Sequence, residues 1–347
     1  MGAHPHLQRA YELARGHHPH PNPRVGAVVV SASGEVLGEG SHAEPGMPHA
    51  EVTALQAAGG GRGATLYVSL EPCSHHGRTP PCADRLIAEG IAAVVVGIVD
   101  PDPNVAGKGV AKLREAGIDV EVVDDPEARA VDPGYFHHRE TGMPLVTLKY
   151  AMTIDGSAAA VDASSQWITS EDARADAHGL RAGADAVVVG AGTLRHDNPG
   201  LDVRLPGYEG HQPRPVIIAG RSPLPTGSRV WARQPLVIST EDIEVPAGDL
   251  VVVGGEELPD PIETCRALAD ADYYDVLLEG GPTLAGAWWR ARVVRRGVAY
   301  IGARMGGGTG IAPLQGVFSS IDQSDAVTVG EVRRIGEDVR IDFEAVE

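Results

Sequence analysis

The run Thr65-Leu66-Tyr67-Val68-Ser69-Leu70-Glu71-Pro72-Cys73-Ser74-His75-His76-Gly77-Arg78-Thr79-Pro80-Pro81-Cys82-Ala83 decides how the first part of the chain folds. Thr65 to Leu70 reads as a buried strand that stops at Glu71-Pro72, and Pro81 marks the start of a helix reaching Ala88. Two more apolar, β-branched runs, Val25 to Val30 and Ala92 to Val99, lie on either side. A short helix is expected over His49 to Ala58, where apolar residues recur at 50, 52, 54, 55, 57 and 58. Strands alternating with helices predict a largely parallel sheet in a layered α/β domain.

The same elements bring chemistry together. His49-Ala50-Glu51 opens one helix, Cys73 follows a strand, and Cys82 stands at the entry to the next helix. A neutral imidazole and two thiolates make three ligands of a tetrahedral zinc, and a fourth position left to water is the catalytic pattern. Zinc lowers the pKa of water toward neutrality, which makes hydroxide available to attack an amidine-like ring carbon. Glu51 is assigned no ligand role; two residues from His49, it is placed to accept the water's proton and return it to a departing amine, as in H-x-E nucleobase deaminases. A lone His-x-Glu is usually a solvated helix face and a lone Cys a core residue, so the combination carries the weight. The usual second half of such a site is P-C-x-x-C, whereas eight residues, Ser74 to Pro81, separate the two cysteines here. His75 or His76 in that insertion is the nearby supplier of a fourth ligand if the zinc is structural rather than catalytic.

At 347 residues the chain exceeds what one core usually supports, so two domains are expected. Ala, Gly and Val abound and there are only three Phe, which suits small aliphatic cores. A formal net charge of -18, with no basic stripe, argues against a nucleic-acid partner but leaves open a phosphorylated small molecule, which needs only a few local cations or N–H groups. With Cys73 and Cys82 assigned to metal, Cys265 is left as an ordinary thiol, and no disulfide framework is possible. Residues 1–24 lack the pattern of a signal peptide and no stretch is long enough to span a membrane, so a cytoplasmic enzyme is expected.

From Asp124 to Pro144 the composition turns polar and irregular, through Asp125-Pro126, Asp132-Pro133-Gly134 and His137-His138-Arg139, which reads as a linker. The domains are therefore set at 1–143 and 144–347. Strands are expected at Leu145 to Tyr150, Ala186 to Gly190, Pro215 to Ala219, Leu236 to Ser239, Leu250 to Val253 and Asp275 to Leu278. Val276 to Leu284 runs from strand through Glu279-Gly280-Gly281-Pro282 into a helix ending near Trp289. Glycines there let backbone approach a ligand, and N–H groups at a helix start attract phosphate, although such turns are more often merely turns. Lys149 and Asp155 flank a strand end. Ser165, Trp167, Arg181 and Arg204 are groups that a sugar phosphate and a nicotinamide can use, each more commonly a plain surface residue. The Gly306-Gly307-Gly308-Thr309-Gly310 run is the one stretch of low complexity.

The long Pro72 to Cys82 motif, with Pro21-Asn22-Pro23-Arg24-Val25-Gly26 upstream, closely resembles the bifunctional deaminase and reductase family of riboflavin biosynthesis. The likeness continues through Lys149 to Gly156, Ser165-Gln166-Trp167-Ile168-Thr169, Asp197-Asn198-Pro199 and Glu279 to Pro282. It implies an N-terminal cytidine-deaminase-like three-layer domain, which removes the 2-amino group of a diaminopyrimidinone ribosylamino phosphate, and a C-terminal dihydrofolate-reductase-like domain, which reduces the ribosyl group to ribityl with NADPH. It further implies Asn22, His42 and Arg78 on the first substrate, with Arg78 where the family often has lysine. Asp102, where Asp-Pro-Asn-Pro is common, brings a charge that would oppose a phosphate. In the second domain it implies Ser165, Arg181, Leu201, Arg204 and Glu279 on the substrate, and Met152, Trp167, Thr193 and Asp197 on the cofactor. Gly281, Pro282, Thr283, Leu284, Ala285, Gly286 and Ala287 would cradle the cofactor phosphates, and Lys149 would assist hydride transfer by charge or proton. The family likeness also implies a homo-oligomer.

Overall fold

The computed structural model describes residues 4–75, 80–162, 164–220, 223–316 and 320–346. The chain divides into two compact units, Met1–Thr141 and Gly142–Glu347. In the first, the order is α1 (Pro5–Arg15), β1 (Gly26–Val30), β2 (Val36–Ser41), α2 (Ala50–Ala58), β3 (Thr65–Leu70), α3 (Cys82–Glu89), β4 (Ala93–Ile98), α4 (Lys108–Glu115), β5 (Asp119–Val122), α5 (Pro126–Val131) and α6 (Pro133–Thr141). The five strands form one sheet in the order β2-β1-β3-β4-β5. β3, β4 and β5 run parallel, while β1 is antiparallel to both β2 and β3. The sheet is thus mixed where a largely parallel one was expected, because the tight turn after Val30 returns β2 beside β1 as a hairpin and needs no helical crossover.

Side-chain alternation decides which helix lies on which face. Ala27 and Val29 of β1, Leu66 and Val68 of β3, and Val94 and Val96 of β4 point to α2, α3 and α4, where Leu55, Leu86 and Leu113 close the core. Val28 and Val30 face Ala10 of α1, and Val95 meets Leu7, Tyr11, Ala128 and Val131 of α1 and α5 on the opposite side. The result is three layers. The stretch read as a linker is two helices instead: the Asp125 carboxylate accepts the Glu127 N–H, Pro126 occupies the first helical position, and the polar residues face out while Tyr135 and Phe136 pack on Leu70.

The second unit contains β6 (Leu145–Thr153), α7 (Glu171–Gly183), β7 (Ala186–Gly190), α8 (Ala191–Asp197), β8 (Arg214–Ile218), β9 (Leu236–Ser239), β10 (Asp249–Val252), α9 (Pro261–Asp270), β11 (Asp275–Leu278), α10 (Pro282–Arg290), β12 (Val294–Gly302), β13 (Val327–Ile335) and β14 (Asp338–Ala345). Its nine-stranded sheet has the order β10-β9-β8-β7-β11-β6-β12-β14-β13, parallel from β10 to β12 and antiparallel at the β14 and β13 edge. α9 and α10 cover one face through Cys265, Leu268, Trp288 and Trp289, and Leu180 of α7, Leu194 of α8 and Trp231 cover the other. Cys265 is buried in this core, as an idle thiol should be. No helix among the described residues is long and apolar enough to cross a membrane.

Candidate active sites

In the first unit three ligand types are delivered from three places. His49 is the extended residue capping α2, Cys82 is the first residue of α3, and Cys73 lies three residues past the end of β3. His49 Nδ1 stands 3.3 Å from Cys82 Sγ and 3.6 Å from Cys73 Sγ, and the three atoms all lie within 4.8 Å of one another. Zinc bonds of roughly 2.3 Å to sulfur and 2.0 Å to nitrogen give tetrahedral nitrogen–sulfur edges of about 3.5 Å, so the donor set fits zinc. Among the described residues no fourth His, Cys, Asp or Glu joins the cluster. His75 is described and stays outside it; His76 and Arg78 lie outside the described residues.

The electrostatics of the cluster call for a cation. The hydrogen bond to Cys82, then His49, lowers the Cys73 thiol, whereas that same bond to Cys73, then burial, raises Cys82. The N-termini of α2 and α3 point at the cluster and add partial positive charge. Glu51, in the first turn of α2, is buried at 3% exposure, and burial with the neighbouring Cys73 charge pushes its carboxyl up to about 7. Asn22 and His42, expected on the substrate, meet each other. His42 Nδ1 donates to the Pro48 carbonyl at 3.2 Å, which leaves Nε2 to accept from Asn22 Nδ2 at 2.9 Å, and burial lowers the imidazole's pKa. The ring lies edge-on to His49 at 5.0 Å between centroids. Asp102 turns inward: its carboxylate accepts the Asn104 N–H and lies 3.4 Å from Arg139 of α6, so its charge is matched locally.

In the second unit the charged residues converge from distant parts of the sequence. Arg181 of α7 donates Nε and Nη2 to the two oxygens of Glu279 at 2.7 and 2.8 Å, and Nη1 to the Asp202 carbonyl at 2.9 Å. Lys149 on β6 is half-buried beside them and its pKa falls with desolvation, against the pull of Glu279; its Nζ sits 5.7 Å over the Tyr300 ring. Burial raises Glu279, but Arg181 and Lys149 outweigh it and hold the carboxyl down at about 2. Arg204 is exposed; its side chain pairs with Asp202 and its backbone N–H donates to His178 Nδ1 at 3.2 Å. His178, whose pKa burial and then Arg181 lower, was missed in the sequence, since a single His on an amphipathic helix carries no motif. Ser165 is half-buried, and Leu201 puts its side chain in the core at 1% exposure, so only its backbone is available to a ligand.

The cofactor-side residues are less uniform. Trp167 is 58% exposed with Arg174 stacked 4.4 Å over its ring, Met152 is half-buried on β6, and Asp197 is exposed at the end of α8. Gly281 caps α10, and Thr193 Oγ1 lies 3.6 Å from where a Gly281 Cβ would stand, so these two share a wall. Of the residues 281–287 expected to cradle cofactor phosphates, Gly281, Pro282, Thr283 and Ala287 keep some exposure. Leu284 and Ala285 are buried in the core, Thr283 Oγ1 donates to Gln315 Oε1 at 3.1 Å, and Gly286 has the Gln315 carbonyl where a Cβ would be, at 2.0 Å. The Gly306 to Gly308 amides are taken by the Asp155 carboxylate at 2.7 to 3.0 Å.

Residues 3–98 match the cytidine and deoxycytidylate deaminase zinc-binding region, and residues 144–341 match the RibD C-terminal domain. The riboflavin biosynthesis protein RibD of Aquifex aeolicus is 39% identical across 97% of this chain and 97% of its own length, and that of Escherichia coli 37% across 96% and 97%. Acinetobacter baumannii RibD superposes with a TM-score of 0.92 at 34% identity, covering 99% of this chain and 98% of that one. A deaminase/reductase from Thermotoga maritima gives 0.90 at 32% identity, covering 99% and 98%. With a zinc-binding deaminase unit and an NADPH-dependent reductase unit on one chain, the protein belongs to the bifunctional deaminase–reductase family of riboflavin biosynthesis.

Proposed function

We propose that the first unit hydrolyses the 2-amino group of 2,5-diamino-6-(5-phosphoribosylamino)pyrimidin-4(3H)-one, and that the second reduces the ribosyl group of the resulting aminouracil to ribityl. The observation that carries the first step is the approach of His49, Cys73 and Cys82 within 4.8 Å beside a buried Glu51. Zinc, when bound, supplies the acidity that makes hydroxide available at neutral pH. Glu51 takes the proton released and returns it to the leaving amine; burial, which favours its neutral form, suits both halves of that shuttle. Asn22, oriented by His42, offers its remaining amide valences to the pyrimidine, and Arg78 is assigned to the phosphate.

In the second unit hydride transfer needs orientation rather than a nucleophile. Lys149 stands by the reacting sugar carbon as the source of charge or proton, with Glu279 and Arg181 holding its position. Thr193 and the first turn of α10 receive the cofactor phosphates, and Met152, Trp167 and Asp197 complete that side. Ser165, Arg204 and the Leu201 backbone are assigned to the sugar phosphate. Homo-oligomeric assembly and a cytoplasmic location belong to the same reading and rest on the family.

Incubating the zinc-loaded protein with the diaminopyrimidinone phosphate tests this directly. Exchange of amine for oxygen adds about one mass unit, and hydride plus proton raises the total to about three only when NADPH is present. No mass change without NADPH rules out the deaminase assignment.

A further inference from the structure

Two residues before the Cys73 ligand, Glu71 is 4% exposed, and its carboxylate accepts four backbone N–H groups. Oε1 takes those of Gly109 and Val110 at 2.8 and 3.0 Å, and Oε2 takes those of Gly107 and Asp100 at 2.8 and 3.3 Å. Gly107 caps α4, and Gly109 and Val110 lie in its first turn, so three of the donors are ones a helix leaves unpaired. The Gly107-Lys108-Gly109 loop resembles a phosphate cradle, yet the protein's own carboxylate fills it, and Lys108 Nζ turns away to the Pro103 and Asn104 carbonyls.

The contact continues through the next residue. A Cβ on Gly109 would stand 1.9 Å from the Pro72 carbonyl oxygen, so the helix backbone lies directly against Pro72. Proline fixes its own φ, which makes the link from Glu71 to Cys73 stiff. Cys73 is then held from the other side, where its sulfur accepts the Cys82 N–H at 3.3 Å and its carbonyl accepts the Ala83 N–H at 3.1 Å.

We propose that Glu71 is a positioning residue for the zinc centre, fixing the Cys73 sulfur by clamping the N-terminus of α4 beneath Pro72. This rests on the assignment of Cys73 as a ligand. Glu71→Gln removes an acceptor and turns an amide N–H₂ toward N–H donors. Outer-shell substitutions typically cost 10- to 100-fold in metal affinity, and a loss of about that size is expected when the full-length variant competes with a chelator for zinc. The cobalt-substituted variant should lose intensity in its thiolate and ligand-field bands. Reduction of supplied deaminated substrate reads the second unit and should be unchanged, and far-UV circular dichroism at the wild-type level reports that the first unit is folded.

Gly109→Ala pushes on Pro72 with the carboxylate in place and should weaken zinc in the same way, which serves if Glu71→Gln fails to fold. Leu113→Ala loosens the same helix from its core side and should keep the wild-type affinity despite its lower stability. Wild-type zinc affinity and cobalt spectrum in Glu71→Gln or Gly109→Ala, or zinc loss in Leu113→Ala equal to theirs, overturns the proposal. Cys73→Ser separates the underlying assumption: if it binds zinc as tightly as wild type, the ligand assignment has failed rather than the clamp.

Discussion

Each candidate site holds a carboxylate largely withdrawn from solvent, and the two respond in opposite directions. Glu51 is pushed up to about 7 and Glu279 is held down at about 2. Desolvation acts the same way on each; what differs is the company. Glu279 has the Arg181 guanidinium bonded to both oxygens and Lys149 nearby, whereas Glu51 has the Cys73 charge beside it, which the His49 imidazole offsets only in part. The reductase site is electrostatically complete as the chain folds, and the deaminase site is completed from outside by a cation. Burial alone therefore says little about a group's charge. The partners decide it.

The sharpest test of that contrast is the exchange of each carboxylate for its amide. Glu51→Gln should lower ammonia release by about 10²- to 10⁴-fold while metal analysis still finds zinc and reduction of supplied intermediate proceeds. Loss of zinc in this variant, or surviving deamination, contradicts the role assigned to Glu51. Stripping zinc with a chelator should likewise abolish deamination and spare reduction; a fall in both means the units are not independent.

Glu279→Gln has the reverse pattern. It leaves the largely desolvated Arg181 and the half-buried Lys149 without their counter-charge, and should destabilise the second unit by up to about 3–5 kcal/mol and stop reduction, with deamination intact. All four tryptophans, Trp167, Trp231, Trp288 and Trp289, lie in that unit, so denaturant unfolding followed by indole fluorescence reads it alone. Replacing the pair together, Arg181→Met with Glu279→Leu, should restore most of the stability and none of the activity. Recovery of activity along with stability makes the pair's role purely structural.

The pH dependence gives a smaller effect. The ordinary carboxyl value of 4.5 is lowered to about 2 in Glu279, so the stability it contributes is whole above pH ~4.5 and is lost as the pH falls through about 2. The shift corresponds to roughly 3 kcal/mol, and the acid dependence of unfolding, read by the same fluorescence, should be shallower by about that amount in the double replacement. Smallest of all, Thr193→Val should weaken NADPH binding by about tenfold or less, the worth of one hydrogen bond; fluorescence titration showing no change removes Thr193 from the cofactor wall.

The deaminase centre was legible because its residue types are rare and its spacing local: one His, two Cys and one Glu within a segment of fewer than forty residues, each beside a recognisable strand or helix. Glu71 was passed over in the same segment. A Glu at a strand end looks ordinary until the N–H groups of residues 107, 109 and 110 are seen around it. In the reductase unit the decisive partners are Arg181 and Glu279, 98 residues apart, and composition has no means of pairing them without the family likeness. The nine strands anticipated from apolar runs all formed, with ends shifted by at most a few residues, whereas β2, β5, β12, β13 and β14 were not anticipated. β13 was missed because Val327–Ile335 is exposed along most of its length, and β14 because charged residues interrupt Asp338–Ala345, so that neither offers a continuous apolar run. The helices α5 and α6 were read as a linker because Pro and Asp, which break helices internally, were here starting them.

Strand order in the second sheet bears on synthesis. β6 leaves the ribosome first, yet its neighbours are β11 and β12, and Leu145 pairs with Asp275. At roughly 5–20 residues per second, the apolar segment Leu145 to Leu148 waits on the order of ten seconds for its partners, while the sheet of the first unit is already closed. A nascent chain stalled near residue 270 should accordingly be cut by protease around β6 and spared in β1 to β5, and it is in that interval that a chaperone has most to offer this protein.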